Sequence, residues 1–291
     1  MHLIADSGST KTDWCLCDNS AIIQSIQTQG INPYHQTEEA IEQVLAEELF
    51  PQLVAQSSSL AAQGSSFSVI FYGSGCANET ACNRVKEAIH KTLGTTDITI
   101  HSDLLGAARA LCGHDEGIAC VLGTGSNSCL YNGKEIIANV PPLGYILGDE
   151  GSSAVLGRRL VGDCLKNQLP EAIRNEFLSE YGLTQEIILE KVYRQPLANR
   201  FLASLTPFLS KHRDVPEIHH LLVDSFIDFF VRNVKQYRRP WLPIHFVGSI
   251  ANAFSTELKE AAESLGMELG TILQSPMEGL IRYHTDKKAK T

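Results

Sequence analysis

Two short stretches of this 291-residue chain set glycines and hydroxyls where an anion would be held. Leu3-Ile-Ala-Asp-Ser-Gly-Ser-Thr-Lys-Thr-Asp-Trp-Cys-Leu-Cys17 and Ala119-Cys-Val-Leu-Gly-Thr-Gly-Ser-Asn-Ser-Cys-Leu-Tyr131 each read as strand, tight turn, strand. Such a turn points backbone N–H groups and hydroxyls outward, so two of them could grip one polyphosphate from both sides. Carboxylates supply the second kind of chemistry. Asp149 and Glu150 lie between Gly148 and Gly151, where small neighbours permit close approach and carboxylates accept paired hydrogen bonds from a ligand. The simplest reading of these two acids is a helix start, where the helix dipole favours negative charge by roughly 0.3–1 kcal/mol each. Asp103, between a strand-like run and a helix-like run, reads in the same way as an N-cap.

The elements that must position these groups follow from periodicity. Strands are expected at 3–6, 12–17, 21–28, 67–72 and 97–101, with helices at 37–56, 79–92 and 103–112, a βββαβαβα order. Helix 37–56 carries a stripe of Ala40, Ile41, Val44, Leu45 and Leu49 and ends near Pro51 and a serine-rich loop, 57–66. The order restarts after Gly113-His-Asp-Glu-Gly117 with strands at 118–122, 127–131 and 134–138. Mostly helical sequence then runs from the Gly148-Asp-Glu-Gly-Ser-Ser153 helix start to about Tyr237, followed by a strand at 240–247, a helix at 253–265, a strand at 267–273 and a helix at 277–284. The expected fold class is therefore α/β, two duplicated βββαβαβα domains flanking a cleft. The first lobe is 1–113, joined by the C-terminal helix 276–291, and the second is 114–275 with a helical insertion at about 151–237.

Composition narrows the partners. The net charge of −9, from 24 basic and 33 acidic residues, argues against nucleic acid and anionic membranes, so an anionic ligand needs a metal ion or N–H groups nearby. No apolar run approaches the ~18 residues of a membrane span, and Met1 leads directly into a strand, so a cytoplasmic protein is expected. The eight cysteines stand singly in apolar segments, as reduced thiols do. Alternation along a strand puts Cys15 and Cys17 on one face, which suits packing better than zinc.

Two familiar phosphate motifs fail. Gly8-Ser-Thr-Lys-Thr12 lacks the P-loop's glycine before the lysine. Neither Gly123-Thr-Gly-Ser-Asn-Ser128 nor Gly73-Ser-Gly-Cys-Ala-Asn78 has the third glycine of the dinucleotide fingerprint. What the chain does resemble, along nearly its whole length, is the actin/hexokinase/Hsp70 superfamily of ATPases, whose ribonuclease H-like domains hold nucleotide between two such hairpins. Asp6-Ser-Gly-Ser-Thr-Lys-Thr12 looks like its first phosphate motif, Leu122-Gly-Thr-Gly-Ser126 like its second, and Phe246-Val-Gly-Ser-Ile-Ala-Asn252 like its adenosine motif. Thr124-Gly-Ser-Asn127 with Gly144-Tyr-Ile-Leu-Gly-Asp-Glu-Gly-Ser152 resembles the N-acetylglucosamine kinase branch of the BadF/BadG/BcrA/BcrD ATPase family.

The resemblance implies an ATP- and Mg²⁺-dependent sugar kinase acting on O6 of N-acetylglucosamine, a homodimer whose partner is the small sugar itself. Asp6 would hold hydrated Mg²⁺, and Gly8, Ser9, Thr10, Lys11, Gly123, Thr124 and Gly125 the phosphates, with Gly248, Ser249 and Asn252 at the nucleoside. Asp103 would be the general base. It would share the sugar with Asn32, Ser74, Gly75, Ser126, Asn127, Gly144, Tyr145, Asp149 and Glu150. A base is required because a sugar hydroxyl attacks phosphorus poorly until its proton is accepted. Animal members carry tryptophan in the loop where this chain has Leu143, which keeps glucosamine, glucose and N-acetylmannosamine open as acceptors. Two other readings stand beside the kinase. An iron–sulfur ATPase activator of a dehydratase or reductase would need exposed cysteines, for which Cys76 and Cys112 are the nearest candidates, and a sugar sensor would bind without turnover.

Overall fold

The computed structural model describes residues 1–8, 10–19, 21–56 and 67–286. They divide into two compact units. Unit 1 is Met1–Asp115 with Gly133–Glu135 and the stretch from Pro276, and unit 2 is Glu116–Asn132 with Ile136–Ser275. The serine-rich loop 57–66 and Ser9 lie outside the described residues.

Unit 1 is built on a five-stranded sheet, β1 (His2–Ser7), β2 (Lys11–Asp18), β3 (Ala21–Gln29), β4 (Ser68–Gly73) and β5 (Ile98–Ser102), in the order β3-β2-β1-β4-β5. β1–β2–β3 is an antiparallel meander, and β4 and β5 run parallel to β1. Its helices are α1 (Glu38–Val44), α2 (Phe50–Gln56), α3 (Glu79–Leu93) and α4 (Asp103–Cys112). A central strand covered on both faces must be apolar on both, and β1 obeys. Leu3 and Ala5 pack with Trp14, Phe71, Ile41, Val85 and Ile89, whereas Ile4 packs on the other face with Cys15, Cys17, Ile70, Leu280 and Ile281. The two cysteines therefore share a buried face, as strand alternation requires.

Unit 2 repeats the scheme. Its sheet is β6 (Glu116–Leu122), β7 (Ser126–Asn132), β8 (Ile136–Asn139), β9 (Ile244–Val247) and β10 (Leu269–Leu273), ordered β10-β9-β6-β7-β8. β6 pairs antiparallel with β7 and parallel with β9, and β9 parallel with β10. Between β8 and β9 lie α5 (Gly144–Leu147), α6 (Ser153–Leu165), α7 (Glu171–Glu180), α8 (Gln185–Tyr193), α9 (Ala198–Ala203), α10 (Thr206–Lys211) and α11 (Pro216–Arg232). Beyond β9 come α12 (Ser249–Ala253) and α13 (Ser255–Ser264), and after β10 the chain enters α14 (Met277–Thr285), which packs in unit 1. The inserted helices bury Leu156, Leu160, Phe226, Phe229 and Phe230 against Ile118, Leu122 and Phe246 of the sheet. Phe229 and Phe230 meet Phe246 at ring-centroid separations of 5.9 and 5.7 Å, and burying one such side chain is worth about 1.5–3 kcal/mol.

Several local features differ from the sequence expectation, and the strand expected at 240–247 begins only at Ile244. The helix expected at 37–56 widens into a π-turn at Leu45–Leu49, which lets both Leu45 and Leu49 reach the core. The helix expected at 253–265 is two, broken at Phe254. Ser102, not Asp103, is the N-cap of α4, its Oγ accepting from the Leu105 N–H. Asp149 and Glu150 precede a helix rather than open one: Ser152 caps α6, and the two acids sit in the turn before it. The helix-dipole argument for their charge therefore does not apply. Among the described residues no helix is long and apolar enough to cross a membrane.

Candidate active site

In unit 1 the expected site residues gather at one edge of the sheet. Ser7, Gly73 and Ser102 are register partners across β1, β4 and β5, so the residues that follow them leave the sheet from the same row. They are Gly8, Ser74 and Asp103. Ligands favour this carboxyl edge of parallel strands because several loops converge there. The first turn is closed by Gly8 N–H donating to Lys11 O at 3.0 Å, and Gly30 N–H donates to Thr10 O at 3.1 Å. Ser7 Oγ, itself 2.7 Å from Thr12 Oγ1, donates to Ile31 O and accepts from Ile31 N–H, which ties the turn to the loop carrying Asn32. Asn32 Oδ1 accepts from Tyr34 N–H and lies against Gly75, whose φ of +82° and lack of a side chain leave room for it. Ser74 N–H donates to Ser7 O, while Ser74 Oγ is buried with no protein partner. A buried hydroxyl without a partner costs roughly 1–3 kcal/mol, so this one awaits a water or a ligand.

The acids of unit 1 are the electrostatic centre. Burial, then the negative charges of Asp103 and Asp13, push the Asp6 carboxyl up from 3.8 to about 7, against a smaller opposing pull from Lys11. Asp103 keeps an exposed side chain, yet the protein massed around it withdraws enough water to raise its pKa, and the N–H groups of Leu104 and of Asp103 itself offset part of this. Its Oδ1 accepts from Leu104 N–H at 2.8 Å. Asp13 was not legible as a site residue. Strand pairing sets it directly opposite Asp6, and its carboxylate holds Lys11 Nζ at 2.8 Å and the Gln27 side-chain amide at 2.7 Å. Register across a hairpin was the signal that could have found it.

Among the described residues no three His, Cys, Asp or Glu side chains form a metal-ligand group. Asp6, raised first by burial and then by the charges of Asp103 and Asp13, is the carboxylate in unit 1 whose charge a hydrated dication could offset.

In unit 2 the second turn and the Gly148–Gly151 loop are joined. Gly123 N–H donates to Gly125 O, and the Gly123 and Thr124 carbonyls accept from Ser153 and Ala154 N–H groups at the start of α6. Ser126 N–H donates to Asp149 Oδ1 at 3.3 Å, so this acid sits beside the turn. Burial raises the Asp149 carboxyl, the Ser126 bond lowers it, and Glu150 raises it again. Asn127 Oδ1 is held by Asn139 Nδ2 at 2.9 Å. Glycine at 148 is demanded by the fold rather than by a ligand: a Cβ there would lie 2.0 Å from Pro142 O. Gly144 opens α5, and Tyr145 packs partly buried on the unit 2 core while its carbonyl accepts from Arg158. The Glu150 carboxylate is already engaged by Arg232 and Asn233.

Gly248 follows β9 beside the second turn, at a φ of +129°, and a Cβ there would meet Leu122 O at 2.2 Å. Its N–H donates to Leu273 O and its carbonyl accepts from Asn252 N–H. Ser249 borders a cavity of about 540 Å³ between α12 and α10, lined also by Thr206, Pro207, Ser210, Ala253 and Phe254. The α10 wall carries no motif and could not be read from the sequence.

Among solved structures, the chain matches that of a proposed N-acetylglucosamine kinase from Porphyromonas gingivalis at 50% identity, over 99% of this chain and 100% of that one, with a TM-score of 0.93. This chain belongs to the N-acetylglucosamine kinase-like branch of the BadF/BadG/BcrA/BcrD ATPase family. Two less similar structures share the fold alone. A proposed N-acetylglucosamine kinase from Chromobacterium violaceum aligns at 19% identity and TM-score 0.76 over 97% of this chain and 98% of its own. The ROK hexokinase of Thermus thermophilus aligns at 11% identity and 0.50 over 99% of each. No family model matches the chain, and no curated protein does. In this family member Cys76 and Cys112 are buried, and burial pushes both thiols up to about 12, which is unfavourable for cluster ligation by thiolate.

Proposed function

We propose that the chain is a sugar kinase that uses Mg²⁺ and ATP to phosphorylate O6 of N-acetylglucosamine. The observation that carries the reading is Asp103: an exposed, desolvated carboxyl at the sheet edge shared by Gly8 and Ser74, in a chain half identical to a proposed N-acetylglucosamine kinase. A carboxylate with a raised pKa accepts a hydroxyl proton more readily at neutral pH. Asn32 and the buried Ser74 Oγ would orient the sugar beside it, and Asp149 would accept from a second pair of hydroxyls. The turn at Gly8–Lys11 and the turn at Gly123–Gly125 would present N–H groups to phosphate oxygens, with Asp6 holding the hydrated metal. Mg²⁺ supplies charge neutralisation of the phosphates when bound. The remaining catalysis is positioning.

The direct experiment measures ADP release with Mg-ATP against a panel of N-acetylglucosamine, glucosamine, glucose and N-acetylmannosamine. Turnover is expected to be stimulated most by N-acetylglucosamine, and turnover with no sugar in the panel would sink the kinase reading. Leu143 favours keeping the other three in the panel, because it is exposed, at a φ of +63°, at the start of the loop that leads to Asp149.

The cavity beside Ser249 would take the nucleoside. Its size suits a purine base, and Phe254, Ala253 and Pro207 offer apolar surface for a ring. Ala253→Trp is expected to fill it, raising KM for ATP at least tenfold while leaving the affinity for sugar, read by calorimetry without nucleotide, within twofold.

A further inference from the structure

Asp149 has a left-handed backbone, which aspartate tolerates better than most residues but which is still held by its surroundings. Its φ is +54°, Gly151 follows at +73°, and neither residue belongs to a helix or strand. A non-glycine residue stays left-handed only where its surroundings over-determine it. Part of that hold is local: Asp149 N–H donates to Pro142 O at 2.9 Å and Ser152 N–H donates to Asp149 O at 3.0 Å. The rest comes through the neighbouring side chain. Glu150 Oε1 lies 2.7 Å from Arg232 Nε, and Glu150 Oε2 accepts from Asn233 Nδ2 at 3.2 Å. Asn233 is itself buried and donates again to Phe229 O, so the amide is fixed to the end of α11. Both oxygens of Glu150 are thus engaged by one helix terminus, and that side chain is only 12% exposed.

We propose that Glu150 is a strut and not a sugar ligand, and that Arg232 and Asn233 are positioning residues: together they clamp the Gly148–Gly151 turn to α11, so that Asp149 is held against Ser126 N–H. The pair of acids then divides its labour. Glu150 faces inward and carries load, and Asp149 alone is left to a ligand. The order of the two cannot be exchanged, because only Asp149 reaches the second phosphate turn. The consequence for a sugar kinase, which rests on the function proposed above, is that the sugar loop is set by one helix end that touches neither substrate.

The test has a ligand-free arm and a kinetic arm, each on the full chain. Arg232 is 61% exposed, so Arg232→Met should fold; Glu150→Gln keeps the shape and the Asn233 bond. In the absence of any ligand, amide hydrogen exchange at Ser126 is expected to accelerate about tenfold in both variants, and in the double variant no more than in the worse single one, since one linkage is lost either way. Unchanged exchange at Ser126 in Arg232→Met would overturn the strut whatever the protein's activity. In the kinetic arm, Arg232→Met and Glu150→Gln should each raise KM for the sugar five- to tenfold with KM for ATP unchanged, again without adding in the double variant, and Arg232→Lys should restore part of the loss. A sugar KM that rises in Glu150→Gln but not in Arg232→Met would make Glu150 a ligand and overturn the proposal. Wild-type protein that turns over no sugar would refute the kinase reading alone, and the exchange result would still decide the strut.

Discussion

Asp103→Asn is expected to lower kcat for sugar phosphorylation by about 10²–10⁴-fold, the range by which positioned proton acceptors accelerate such steps. The substitution removes the proton acceptor and little else. Asn keeps an oxygen to receive the Leu104 N–H, and the cap of α4 belongs to Ser102. Stability should therefore hold or rise slightly, since a desolvated carboxylate is exchanged for a neutral amide. Sugar affinity by calorimetry should change severalfold at most. A variant with wild-type kcat would remove Asp103 from the chemistry, and one that neither binds sugar nor melts cooperatively would show a structural role instead.

Asp6→Asn should cost at least about 100-fold in kcat/KM for Mg-ATP, the loss of one well-placed electrostatic contact being worth roughly 3 kcal/mol. Its pH signature is more specific than its size. The Asp6 carboxyl moves from 3.8 to about 7 in the folded chain, so folding favours the protonated acid. Without a cation this group therefore destabilises the fold progressively as pH rises from about 4 to about 7, by up to roughly 4 kcal/mol. Cation binding requires the ionised form, and so Mg²⁺ should raise the melting temperature much more at pH 8 than at pH 6. At subsaturating Mg-ATP, kcat/KM should fall below about pH 7 along the same titration. In Asp6→Asn the Mg²⁺-dependent shift should vanish, and the metal-free protein should melt higher than wild type at pH 8. A pH-independent Mg²⁺ shift in the wild type, or an Asp6→Asn melting temperature below that of wild type at pH 8 without metal, would contradict the assignment.

Much of this site was legible because hairpins and parallel strands are regular. Once Leu3–Cys17 and Ala119–Tyr131 are read as strand–turn–strand, period-two alternation places Asp6 on a chosen face and buries Cys15 and Cys17 together. The same pattern places Gly8 and Gly123 at the strand ends. What escaped was decided by contacts distant in sequence. Nothing in Asp149-Glu150 distinguishes one acid from the other. The distinction comes from Arg232 and Asn233, more than eighty residues later, meeting only the second. The glycine at 148 has the look of a ligand contact, yet the Pro142 carbonyl is what excludes a side chain. The α10 wall of the cavity beside Ser249 belongs to a helix whose residues are ordinary for any helix.

The sequence by itself determined the duplicated α/β architecture, the two glycine-rich turns and the place of Asp103 at a strand-to-helix junction, because these depend on local periodicity and short turn chemistry. Tertiary structure alone decided which carboxylates are strained, which are spent and which remain for a ligand. Burial and neighbouring charge set those properties. The groups responsible, Asp13 across the hairpin from Asp6 and Arg232 and Asn233 at the end of α11, become neighbours of the site only when the chain is folded.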